Sequence, residues 1–149
     1  MKVIASNKKA YHDYFIKDKY EAGISLKGYE VKSVRQGSVN LVDGHVDIKN
    51  NQALLVNVFI KKYDKQNNFD IDEKATRKLL LNKKEIEKLQ KQKSEKGYTI
   101  IPLKIYINKK GLIKLEIAVA QGKKLYDKRR SIKEKDEKKR LNIELSRYN

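Results

Sequence analysis

The sequence predicts a mostly β, α+β fold: a small antiparallel OB-like β-barrel flanked by short helices, with a basic C-terminal tail. Two stretches, 46–60 and 101–119, repeat apolar residues at period two around turn residues. Only one stretch, after Asn82, has the capping and spacing of a sizeable helix. Beyond Gly122 the chain nearly loses its large aliphatics but keeps its lysines. About five or six short strands with one such helix suggest a closed or partly closed barrel. The expected organisation is a barrel over residues 1–121 and a tail over 122–149.

In chain order, Tyr14 to Leu26 mixes β-branched and aromatic residues with charges, which predicts a strand kinked near Gly23. Tyr29, Val31 and Val34 lie between glycines at the spacing of a short helix. Val46 and Ile48, an Asn50-Asn51 turn, and Leu54, Val56, Val58 and Ile60 predict a hairpin. Residues 61–76 have no period and predict a polar loop. Asn82 then caps a helix with Glu85 three residues on, Ile86 and Leu89 form its apolar stripe, and Gly97 ends it. A last hairpin sets Ile101, Leu103, Ile105 and Ile107 against Ile113, Leu115, Ile117 and Val119, turning at Gly111. Pro102 cannot donate to a ladder and marks an edge or bulge. No repeat of about 20 to 50 residues is present.

The chain has 149 residues, no cysteine and a net charge of +17, from 36 Lys+Arg against 19 Asp+Glu. One domain without disulfides fits a reducing compartment, and no apolar run suits a signal peptide or membrane span, so a cytoplasmic protein is expected. The positive field suits a polyanion. Anionic membrane would need a basic amphipathic helix with bulky apolar residues, which favours nucleic acid instead.

Catalysis finds little support. Thiol chemistry and Cys-based zinc sites are excluded by composition. His12 and His45 stand alone, and Asp70, Asp72 and Glu73 are better read as solvated acids than as Mg²⁺ ligands. No phosphate cradle or nucleophile elbow appears. No enzyme, metal or cofactor is expected.

The lysines of the long helix, Lys83, Lys84, Lys88, Lys91 and Lys93, read as a solvated face. Both parts of the chain are basic: the tail holds 11 Lys+Arg against 5 Asp+Glu, and residues 1–121 hold 25 against 14. Residues 131–140 are helix-compatible but polar all round, so the tail should be disordered when free. Leu141, Leu145 and Tyr148 would make a small apolar stripe if a partner ordered it. Tyr11, Tyr14 and His12 beside Lys8 and Lys9, and Tyr126 beside Lys123, Lys124 and Lys128, place rings next to cations, as base stacking requires.

Four stretches are more specific: "NKKAYHDYFI", "YEAGISLKGYEVKSVRQG", "RKLLLNKKEIEKL" and "QGKKLYDKRRSIKEKD". In this order and spacing, from Asn7 to about Asp136, the chain resembles small protein B (SmpB), the SsrA-binding protein family. The resemblance implies an OB-like barrel that binds the tRNA-like domain of transfer-messenger RNA (tmRNA) and supports its aminoacylation. It further implies travel with elongation factor Tu and aminoacylated tmRNA to stalled ribosomes, as a monomer that catalyses nothing. There the protein would occupy the place of the missing anticodon arm, near the decoding region, with the tail helical in the vacant mRNA channel.

By matching motif, Asn7, Glu21, Leu80 and Lys114 resemble family positions tied to tmRNA binding, and Arg35, Arg77, Lys78, Lys123 and Lys124 add basic groups. Asn7 could hydrogen-bond phosphate or base, and Lys114 should project outward, opposite Ile113 and Leu115. Glu21 would accept from base or ribose donors or orient a lysine. Leu80 is expected in the core, acting through shape. His12, Asp127, Lys128 and Arg129 resemble ribosome-facing positions, with Asp127 orienting its neighbours. Arg130, Lys133, Lys138, Lys139 and Arg140 extend that basic run. Ala75 and Gln121 stand where the family commonly has a basic residue. A generic OB-type RNA-binding or ribosome-associated protein, a nucleic-acid chaperone and a metal-dependent nuclease remain the alternatives.

Overall fold

The computed structural model describes residues 1–62 and 72–123. The chain runs β1 (Lys2–Ser6), α1 (Lys8–Asp13), β2 (Tyr14–Ile24), α2 (Gly28–Arg35), β3 (Val39–Asn40), β4 (His45–Lys49) and β5 (Gln52–Val56). It continues through β6 (Phe59–Ile60), β7 (Arg77–Leu80), α3 (Lys83–Ser94), β8 (Tyr98–Ile107) and β9 (Ile113–Gly122). Seven strands form one antiparallel sheet in the order β1-β8-β9-β2-β7-β5-β4, and β3 pairs with β6 separately.

The sheet is not closed into the expected barrel. Its edge strands are β1 and β4, and no ladder joins them among the described residues. On the core side, α3 packs against β4, β8 and β9. Asn82 Oδ1 accepts from Glu85 N at 2.8 Å and the Glu85 carboxylate accepts in turn from Asn82 N, so this helix starts where its sequence directs. Its Leu89 is fully buried, and Lys93 reaches Asp47 of β4 at 2.9 Å. That hydrogen bond holds the Asp47 carboxyl below its ordinary pKa.

The main core lies on one face of the sheet, built from residues such as Leu55, Leu79, Ile100, Ile105, Leu115 and Ile117. A second cluster, Ala10, Ile101, Leu103, Ala118 and Ala120, lies on the opposite, outer face beneath α1. Ile101, Leu103, Ile105 and Ile107 therefore do not share a face as expected. A register shift between Pro102 and Lys104 reverses the alternation, at the residue that lacks an N–H. A second reversal occurs at Asn57, whose φ is 62°. It leaves Leu54 and Val56 half-buried while Val58 and Ile60 enter the core. The β4–β5 turn is as expected, with Asn50 and Asn51 at φ 51° and 59°. The β2 irregularity lies between Ile16 and Asp18 rather than at Gly23, and the strand ends at Ile24 rather than Leu26.

A buried ion pair ties α2 to β7. Arg77 Nε donates to Glu30 Oε2 at 2.6 Å, and both side chains are about 5% exposed or less. The other Glu30 oxygen accepts from Lys27 N at 2.9 Å, capping α2. Arg77 also donates to the Val58 carbonyl at 2.6 Å and the Glu73 carbonyl at 3.1 Å. Arg77, expected among the RNA contacts, is thus spent on the fold. Removing one partner strands a buried charge. Glu30→Ala or Arg77→Ala should each lower stability by about 3–5 kcal/mol in urea unfolding, and losses below about 1 kcal/mol would contradict the assignment.

Candidate nucleic-acid interface

Strict alternation in β7 buries Arg77 and Leu79 and turns Lys78 and Leu80 to the outer face. Leu80 is 56% exposed, which corrects the expectation that it is core. Its neighbour in the ladder is Gly23, which pairs on its other side with Lys114, which in turn pairs with Tyr106. Leu80, Gly23, Lys114 and Tyr106 therefore form one row across four strands. Glu21 and Glu116 face each other two residues along, with Lys104 beyond Glu116.

Gly23 makes room for this arrangement. A Cβ there would stand 3.1 Å from Leu80 Cβ, so a larger residue would displace the leucine. The Tyr106 hydroxyl donates to Glu21 Oε2. Burial, then that hydrogen bond, pushes the phenol well above its ordinary pKa, so Tyr106 remains a donor at neutral pH. The other Glu21 oxygen takes no hydrogen bond from a described residue and can accept one from outside the protein. Glu116 lies 3.9 Å from both Lys19 and Lys104. Lys78 and Lys114 have no ion-pair partner among the described residues and can meet phosphates.

The structure thus brings together Glu21, Lys78, Leu80 and Lys114. Arg35 lies at the same end of the sheet, its Nη2 3.4 Å from the Gly111 carbonyl in the β8–β9 turn. Asn7 behaves otherwise. It is 3% exposed and caps α1, with Oδ1 accepting from Ala10 N. Its Nδ2 donates to the Pro102 and Leu41 carbonyls. Both ends of this buried amide are engaged within the protein, so Asn7 positions α1 over the second apolar cluster rather than lying open for the expected phosphate or base contact.

His12 and Lys123 lie at the other end of the β2–β9 ladder. His12 is exposed and pairs with Asp13 at 3.0 Å. Lys123 Nζ lies 3.4 Å from the Tyr11 carbonyl and 5.0 Å from the Phe15 ring centroid. Tyr11 is exposed, with Lys19 5.5 Å from its ring, whereas Tyr14 is half-buried. Lys124, Tyr126, Asp127, Lys128, Arg129, Arg130, Lys133, Lys138, Lys139 and Arg140 lie outside the described residues, as do Leu141, Leu145 and Tyr148. Asp70 also lies outside them. Asp72 and Glu73 accept backbone hydrogen bonds from Lys74 and Lys62. No group of three metal-ligating side chains occurs, and no helix is long and apolar enough to cross a membrane, among the described residues.

Sequence reasoning missed Tyr106, Lys104, Gly23 and Glu116. Their only local signal was the alternation that sets each on the outer face. An exposed Leu80 predicts that Leu80→Ala changes stability by no more than about 0.5 kcal/mol. A buried leucine would cost about 2–5 kcal/mol. RNA affinity should nevertheless fall, a separation that urea unfolding and a binding titration would measure together.

The SmpB protein family model matches residues 4–147. The SsrA-binding protein of Thermoanaerobacter pseudethanolicus is 56% identical over 141 residues, covering 95% of this chain and 90% of that protein. That of Caldicellulosiruptor bescii is 53% identical over 148 residues, covering 99% and 93%. A solved structure described as "tmRNA-SmpB: a journey to the center of the bacterial ribosome" is similar at a TM-score of 0.68 and 41% identity, covering 80% of this chain and 83% of its own. With a match this long, joined to the same ordered motifs, the chain belongs to the SmpB family.

Proposed function

We propose that this chain is an SsrA-binding protein that holds the tRNA-like domain of tmRNA on the outer sheet face and delivers it to stalled ribosomes. The observation that carries the reading is the row of Leu80, Gly23 and Lys114 with Glu21 beside it, in a chain matched by the family over nearly its whole length. That face offers an apolar side chain, an orphan carboxylate oxygen and unpaired ammoniums. These suit base faces, base or ribose donors, and phosphates respectively.

The ladder geometry supports a two-ended adaptor. From Tyr14 to Gly23, β2 covers nine steps, or about 30 Å, so the outer-face row and the start of the tail address different surfaces. On this reading His12, Lys123, Lys124 and the run from Asp127 to Arg140 meet the decoding region, and residues 122–149 enter the vacant mRNA channel. The protein acts as a monomer in the cytoplasm, alongside elongation factor Tu, and performs no chemistry itself. The rival, a generic RNA-binding protein, would need charge but no selective face.

Because β9 runs to Gly122, a truncation belongs after Lys123. The full chain and that truncation should both bind the tRNA-like domain of tmRNA, and both should prefer it to excess competitor tRNA at moderate salt. Only the full chain should support tagging on stalled ribosomes. Loss of discrimination in both, or loss of binding with the tail, would make the protein a generic polycation on RNA.

A further inference from the structure

A groove of about 590 Å³ lies beside the outer-face row, between the β4–β5 turn, β7 and the first turn of α3. Its size falls in the range of about 300–1,000 Å³ usual for ligand sites. The polar and exposed side chains along it are Asn50, Asn51, Gln52, Lys78, Leu80 and Lys83. No carboxylate lines it. Another cavity, about 380 Å³ beside α1, sets Asp13 and Asp43 against Lys9 and so suits phosphate less well.

The carboxamides are what distinguish this groove. Every other asparagine among the described residues holds backbone in place. Asn7 and Asn82 cap helices, and Asn40, Asn57 and Asn108 bond to loop backbone. The side-chain amides of Asn50, Asn51 and Gln52 bond to no described residue, although all three residues are exposed at the groove. Nor does the turn need their amides. Both asparagines have positive φ, a conformation glycine adopts without steric cost. The positive end of α3 is already filled by the Glu85 carboxylate, so the groove is not simply a helix-end anion site.

We infer that this groove takes a single unpaired nucleotide of the bound RNA. Leu80 packs against the face of its base, and the amides of the turn read its hydrogen-bonding edge, since each presents a donor and an acceptor together. Lys78 and Lys83 neutralise the phosphates on either side. The groove would thus add sequence selectivity to a surface otherwise dominated by charge. The inference rests on the proposed function for the identity of the RNA, but not for the chemistry of the groove.

The test compares the full-length chain with an Asn50→Gly/Asn51→Gly variant, which keeps the turn's φ angles while deleting both amides. Binding to the tRNA-like domain of tmRNA and to an ordinary tRNA is titrated across a range of salt. The variant should unfold at an equal or higher temperature, yet bind the tRNA-like domain about tenfold more weakly. Its dependence of log K on log[salt] should be unchanged, because amides release no counterions, whereas Lys78→Ala should flatten that slope by about one unit. Gln52→Ala, outside the turn, carries the same test should the double variant prove unstable. Affinity within twofold of wild type on both RNAs overturns the inference, as does a loss explained entirely by a shallower salt slope. A wild-type chain without preference for the tRNA-like domain overturns the tmRNA reading alone, and the variant's behaviour on either RNA still decides the groove.

Discussion

The buried pairing of Glu30 with Arg77 fixes the phase of β7, and through it the side chains that the outer face presents. Arg77 can reach Glu30 and the Val58 carbonyl only from the inner side of its strand. Alternation then obliges Leu79 to enter the core and Lys78 and Leu80 to face outward. A slip of one residue would bury Lys78 and Leu80 and expel the arginine, which the desolvation of an unpaired charge forbids. The same carboxylate caps α2, so one acid sets both a helix start and a strand register.

The outer face is divided between packing and recognition. Near the start of β2, α1 covers Ile101, Leu103, Ala118 and Ala120, held in place by Asn7. Toward the end of β2 the face is uncovered, and Glu21, Lys114, Leu80 and Lys78 lie open. Small residues serve both halves: Ala118 and Ala120 admit the helix, and Gly23 admits Leu80. Glu21 is compatible with the proposed RNA surface because the neutral Tyr106 phenol donates to it and nearby lysines leave the patch positive.

Much of the scaffold was legible in the sequence because it obeys local rules. The Asn50-Asn51 turn, the Asn82–Glu85 capping box, the short helix after Gly28 and the final hairpin all stand where turn chemistry and periodicity put them. What escaped was set by tertiary partners. β7 is four residues long and abuts a helix cap, too short to show a period. The alternation reverses at Asn57 and again between Pro102 and Lys104, so extrapolated faces came out wrong beyond each point. A barrel was expected because strand content alone cannot say whether the two edge strands will meet. Among site residues, Glu21 and Lys114 do reach the open face. Asn7 and Arg77 do not, since the sequence shows a polar group but not whether protein or RNA satisfies it.

The central claim is that the open outer face, rather than total charge, holds the RNA. Its most direct test is a backbone amide NMR map of the full chain with and without the tRNA-like domain of tmRNA. The largest shifts should fall on Glu21–Ile24, Lys78–Leu80 and Lys114–Glu116, leaving Lys88 and Lys91 on the outer side of α3 little changed. Shifts spread evenly over every lysine-rich surface, or centred on α3 beyond its first turn, would contradict it.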